Sequence, residues 1–94
     1  MDALQFTVEA ASDRKAVARV GTLIVGSASA YVDSKRDLVI LESWVLPEYR
    51  RRGIATALYR TIEKVSGRTL KPDASLSAEA LAFWRAYRPA ALTQ

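Results

Sequence analysis

Cysteine and histidine are both absent from this 94-residue chain. Without cysteine there is no disulfide, no thiolate metal site and no cysteine nucleophile. Without histidine the commonest general base and metal ligand is missing. Any acid–base chemistry therefore falls to Asp, Glu, Tyr, Ser, water or the backbone. Long apolar runs are lacking too. None approaches the roughly 20 residues that a membrane-spanning helix needs, and nothing reads as a signal peptide. A cytoplasmic protein with no membrane partner is the expectation.

What is present is ordinary for a folded chain. Half of the residues are hydrophobic, which argues against disorder. The length implies a single domain, 1–94, with a modest core. The net charge of +4 is unevenly placed. From Arg50 to Arg88 there are nine Lys/Arg against three Asp/Glu, whereas Met1 to Tyr49 carries five against seven. A basic half points to nucleic acid, a membrane surface or an anionic ligand.

The first half reads as successive short strands. Residues Leu4–Ala10 alternate apolar and polar, as in a half-buried strand, and Ala11–Arg14 is a turn candidate. Ala16–Val25 is rich in Val and Leu, with Gly21 marking a turn or bulge. Gly26–Val32 is a further strand, and Asp33–Asp37 a polar connection. Leu38–Leu46 is nearly all apolar, as in a strand covered on both faces, and Pro47 ends it. From Gly53 the period changes. Ile54, Leu58, Ile62 and Val65 make one helical stripe, and Gly67 is a C-terminal cap. Thr69–Lys71 is a short strand and Pro72–Asp73 a turn. Ser77 is the N-cap of a second helix whose Ala80, Leu81, Phe83, Trp84 and Tyr87 face inward; Pro89 closes it. The class is α+β with a mainly antiparallel sheet.

The most informative segment is Arg50-Arg51-Arg52-Gly53-Ile54-Ala55. It joins an apolar strand to a helix start. The first N–H groups of a helix have no intrahelical partner, and the dipole adds partial positive charge there. Gly53 removes the Cβ that would block a phosphate. The arginines add full charges and bidentate donors. The segment suits a pyrophosphate, yet it is neither Gly-x-x-x-x-Gly-Lys-Ser/Thr nor Gly-x-Gly-x-x-Gly. The pattern Arg50-x-x-Gly53-x-Ala55, within the run Val45-Leu46-Pro47-Glu48-Tyr49 to Thr56-Ala57-Leu58-Tyr59, resembles the acyl-CoA-binding motif of the GNAT superfamily. The likeness is closest over Asp37–Val65 and continues through Thr69–Tyr87.

That resemblance implies a GNAT-like fold, acetyl-CoA as cosubstrate and an amine acceptor, which is a small molecule or a protein. Coenzyme A carries a pyrophosphate and a 3′-phosphate, which would account for much of the basic excess. The pantetheine arm would pair with the backbone of Ser43, Trp44 and Val45. The loop Arg50, Arg51, Arg52, Gly53, Ile54, Ala55 and Thr56 would hold the pyrophosphate. Family members often carry a thiolate-protonating tyrosine in the last helix, in a pattern like Asn-x-x-Ala-x-x-Phe/Leu-Tyr. The matching run is Ser77–Trp84. Ser77 and Trp84 thereby count as cofactor contacts, but Trp84 stands where the tyrosine is expected and cannot act as an acid. Tyr87, one turn on, is the substitute. Glu42, within an otherwise apolar strand, is the base candidate, partial burial raising its pKa; a structural pairing with Arg19 or Arg36 is the alternative. Asp73 is a weaker base candidate.

Few residues are left for the helices that usually follow the first strand in this family. A shortened acceptor side, or a homodimer that completes the site, would follow. Three functions compete: an N-acetyltransferase working by direct attack, a CoA-holding module without efficient catalysis, and a nucleic-acid binder using Arg50–Arg52. The third ranks last, because the aromatics sit at core spacing rather than between the basic residues.

Overall fold

A computed structural model describes residues 5–92. Leu4, where the first expected strand begins, lies outside them. Four strands form an antiparallel meander: β1 (Thr7–Ser12), β2 (Lys15–Val20), β3 (Leu23–Val32) and β4 (Leu38–Val45). Helix α1 (Ile54–Ser66) follows, then β5 (Leu70–Lys71), parallel to β4, then α2 (Ala78–Tyr87). The sheet order is β1-β2-β3-β4-β5. This is the α+β, mainly antiparallel architecture that the residue pattern implied.

Local chemistry explains the joints. Gly21 takes the left-handed conformation, φ 61°, between β2 and β3. The Asp33 carboxylate accepts from the N–H groups of Lys35 (2.9 Å) and Asp37 (2.8 Å) and shapes the turn into β4. Several boundaries differ from expectation: β1 starts at Thr7, β4 ends at Val45 and β5 starts at Leu70. Ala11 and Ser12 belong to β1, because Ser12 still pairs with Lys15 across a turn of only Asp13 and Arg14. β3 begins at Leu23, directly after the Gly21–Thr22 turn, rather than at Gly26.

Alternation along the strands puts Ala16 and Ala18 of β2 and Ala28 and Ala30 of β3 on the core side, all buried. These small side chains let α1 pack close to the sheet. The helix answers with Ile54, Leu58 and Ile62, at most 2% exposed, each burial contributing about 2 kcal/mol. Gly26 sits where the approach is tightest. A Cβ there would lie 3.1 Å from the Trp44 carbonyl oxygen and 3.2 Å from Ile54 Cγ2. Gly26→Ala is expected to cost about 1–2 kcal/mol by overpacking, read as a lower denaturation midpoint at unchanged slope.

Two expectations about burial fail. Val65, in the last turn of α1, is 44% exposed, and Tyr59, on the flank of the stripe, is buried instead. The reason is α2: Phe83, Trp84 and Tyr87 all have ring centroids within 5.7 Å of Tyr59. β4 is not covered on both faces along its length. Leu38, Val39 and Ile40 are buried, but Leu41 and Trp44 are 63% and 42% exposed. β5 pairs only with Leu38 and Val39, so the second half of β4 has β3 on one edge and an unpaired edge on the other. Within that half the register shifts opposite Ser29 and Ala30, leaving Leu41 as an extra residue beside Glu42, a β-bulge.

Candidate active site

The unpaired edge of β4 runs directly into the arginine loop. Pro47 opens a 3-10 turn, Pro47–Tyr49, that swings the chain off the sheet. Two left-handed residues, Arg51 (φ 64°) and Gly53 (φ 81°), then turn it into α1. Gly53 is the N-cap and supplies no side-chain cap. The first helical hydrogen bond runs from the Ala57 N–H to the Gly53 carbonyl, 3.0 Å. The amides of Ile54, Ala55 and Thr56 precede it and have no intrahelical partner. A Cβ built on Gly53 would meet nothing within 4 Å. Arg50 Nε donates to the Val45 carbonyl at 3.0 Å and ties the loop to the strand end. Arg52 reaches back to the Glu48 carbonyl at 3.5 Å.

Two adjoining clefts open here. One of about 250 Å³ is lined by Tyr49, Arg50, Arg51, Gly53, Ile54, Ala55 and Thr56, with Val45 and Phe83. The other, about 630 Å³, continues between β4, α1 and the start of α2, lined by Ser43, Trp44, Val45, Tyr59, Ser77, Glu79, Ala80 and Phe83 among others. This size suits a small-molecule cofactor. Within the larger cleft the Ser43 hydroxyl lies 3.0 Å from the Tyr59 hydroxyl, strand to helix. Burial pushes the Tyr59 phenol above its usual pKa, and the Ser43 hydrogen bond partly offsets this.

The fold thus brings together Ser43, Trp44, Val45, Arg50, Arg51, Gly53, Ile54, Ala55, Thr56 and Ser77. Ser77 is also the N-cap of α2, accepting from the Ala80 N–H at 3.1 Å. Arg52 lines neither cleft. Trp84 is 1% exposed and packs in the aromatic cluster beneath the cleft, while its neighbour Phe83 is on the wall. Glu42 is exposed rather than partly buried, and among the described residues it pairs with neither Arg19 nor Arg36. Asp73 lines a separate groove with Asp37 and Lys71.

Tyr87 is held elsewhere. Its hydroxyl donates to Glu63 Oε1 at 2.7 Å. Burial, then this bond to a carboxylate, push its pKa up to about 12. Glu63 also takes the Leu70 N–H at 2.7 Å and pairs with Arg88 at 2.7 Å, and Arg88 in turn donates to the Leu70 carbonyl at 2.9 Å. Burial alone would raise the Glu63 pKa. Arg88, the Leu70 amide and Tyr87 outweigh it and hold the carboxyl below its usual range. This cluster ties the end of α1 to β5 and α2. Among the cleft-lining residues that sequence reasoning did not assign to the site are Tyr49, Tyr59 and Phe83. For Tyr59 the signal was a phenol flanking an apolar helix stripe, which reads equally well as core.

The family model for the acetyltransferase (GNAT) family matches residues 2–86. No curated protein matches the chain. Among solved structures, the aminoglycoside acetyltransferase AAC(6')-Iy with a CoA-linked bisubstrate analog superposes at TM-score 0.67 and 22% identity, over 82% of this chain and 63% of its own. Diaminobutyrate acetyltransferase EctA from Paenibacillus lautus, with L-2,4-diaminobutyric acid and coenzyme A, gives TM-score 0.66 and 23% identity, over 83% and 49%. The aminoglycoside acetyltransferase meta-AAC0020, from an uncultured soil metagenomic sample, gives 0.67 and 21%, over 85% and 59%. The chain spans about half to two thirds of these neighbours' lengths, and the likeness is one of fold. With most of its length matched by the family model and its strand, loop and helix arranged around the cleft, the chain belongs to the acetyltransferase (GNAT) family.

Proposed function

We propose that this protein is an acetyl-CoA-dependent N-acetyltransferase that transfers the acetyl group to an amine by direct attack. One observation carries the reading: the unpaired edge of β4 leads, through two adjoining clefts that share Val45, Arg50, Arg51, Ala55 and Phe83, to uncapped amides at the start of α1. Pantetheine adds to Ser43, Trp44 and Val45 as an extra strand. The pyrophosphate takes the amides of Ile54, Ala55 and Thr56, with Arg50 and Arg51 beside it. Ser77, at the mouth of the cleft, contacts the same ligand. Glu42, exposed beside the β4 bulge, takes the proton of the incoming amine, directly or through water. Strand amides near the bulge stabilise the oxygen of the tetrahedral intermediate.

Calorimetric titration with acetyl-CoA is expected to give a Kd of about 1–100 µM, in line with common cosubstrate affinities. Turnover is then sought on diamines, aminoglycosides and lysine peptides. No binding overturns the reading. Binding without turnover on any amine favours a CoA-holding module, which the buried Trp84 at the usual tyrosine position would explain.

A further inference from the structure

Helix α2 offers no phenol to the cleft: Trp84 has no hydroxyl, and Tyr87, bonded to Glu63, lines neither cleft. A different phenol sits in the cleft wall, with only 4% of the residue exposed. Tyr59, on α1, lines the cleft and lies 3.0 Å from Ser43, on the strand segment assigned to pantetheine. Its ring packs against Trp84 at a centroid distance of 5.4 Å, so it occupies the space next to the side chain that replaces the expected tyrosine. We infer that Tyr59 is the proton donor to the coenzyme A sulfur, with Ser43 as its positioning residue. This inference rests on the acetyltransferase reading above.

Either hydroxyl of the pair can donate. When Ser43 donates to Tyr59, the phenolic proton is left to point into the cleft. The amine lone pair forms the C–N bond, the C–S bond breaks, and its electron pair stays on sulfur. The Tyr59 proton moves to that sulfur, and the Ser43 hydroxyl holds the resulting phenolate. The nitrogen sheds its extra proton toward solvent, and solvent returns one to Tyr59. Tyr59 stays protonated through neutral pH, since burial raises its pKa.

Tyr59→Phe keeps the ring and its three aromatic neighbours and removes only the hydroxyl. The test uses the full chain with coenzyme A and acetyl-CoA. The bound thiol is titrated by its thiolate absorbance, a readout that needs no acceptor. In the parent the bound thiol pKa is expected below that in Tyr59→Phe by about one unit, a tenfold shift. On whichever amine turns over, kcat is expected to fall about 100-fold with Kd for acetyl-CoA unchanged. Ser43→Ala, which leaves the phenol in place, is expected to fall less, about 10-fold. Equal thiol pKa and equal kcat in parent and Tyr59→Phe would overturn the inference and leave the acetyltransferase reading standing. A parent that binds no coenzyme A would take down both. If Tyr59→Phe does not fold, an unchanged thiol pKa and kcat in Ser43→Ala overturns the arrangement.

Discussion

Gly53→Glu is expected to abolish acetyl-CoA binding while leaving a folded protein. The new carboxylate would stand on the N-cap residue, next to the α1 amides proposed for the pyrophosphate, in space where its Cβ meets no neighbour. A like charge about 4 Å from a phosphate costs about 4 kcal/mol at a surface site, which is roughly 1000-fold in Kd. The fold should survive, because the Cβ meets no neighbour within 4 Å. The cost to stability is the left-handed backbone, φ 81°, about 1–2 kcal/mol for a residue with a Cβ. Gly53→Asn separates the two effects, since asparagine tolerates that backbone and brings no charge. Calorimetry should show near-parent affinity for Gly53→Asn and none for Gly53→Glu. Parent-like affinity in Gly53→Glu would move the pyrophosphate away from this loop.

Glu63→Leu is expected to destabilise the fold strongly. It strands the Leu70 amide, the Tyr87 hydroxyl and the Arg88 guanidinium at once. The side chains of Arg88 and Glu63 keep 31% and 15% exposure, so water recovers part of the loss. A cost of about 3 kcal/mol is reasonable for breaking such a pair. For a domain of this size that lowers Tm by about 15 °C. The same group sets a pH dependence. Its folded pKa lies below the unfolded value, so the unfolded chain binds the proton more readily. The stabilisation is fully present above the unfolded pKa, near 4.5, and is lost as pH falls through the folded pKa. Thermal melts at falling pH should show the parent losing Tm over this acid range and Glu63→Leu losing distinctly less. Parallel curves would mean that the cluster contributes little.

The residue pattern made the loop proposed for the pyrophosphate legible because that loop is local. Pro47, the arginines, Gly53 and the start of α1 lie within one short stretch of chain, and each acts through backbone geometry that its own residue type imposes. The caps at Ser77 and Gly67 were legible for the same reason. The second half of β4 was not. A nearly continuous apolar run carries no alternation, so it cannot say which face is covered or where an edge goes unpaired. Glu42 was read as partly buried on that basis, and it is exposed.

From the sequence alone came the α+β class, the mainly antiparallel first half and the glycine turn that starts α1, since short-range spacing and turn chemistry determine them. Tertiary structure decided which phenol faces the cleft. Tyr59 meets Ser43 across 16 residues, and Tyr87 meets Glu63 across 24. Helical spacing placed Tyr87 inward and was silent on Tyr59; only the packing of α2 against α1 and β5 determines that the Tyr87 hydroxyl is held by a carboxylate while Tyr59, bonded to Ser43, lines the cleft.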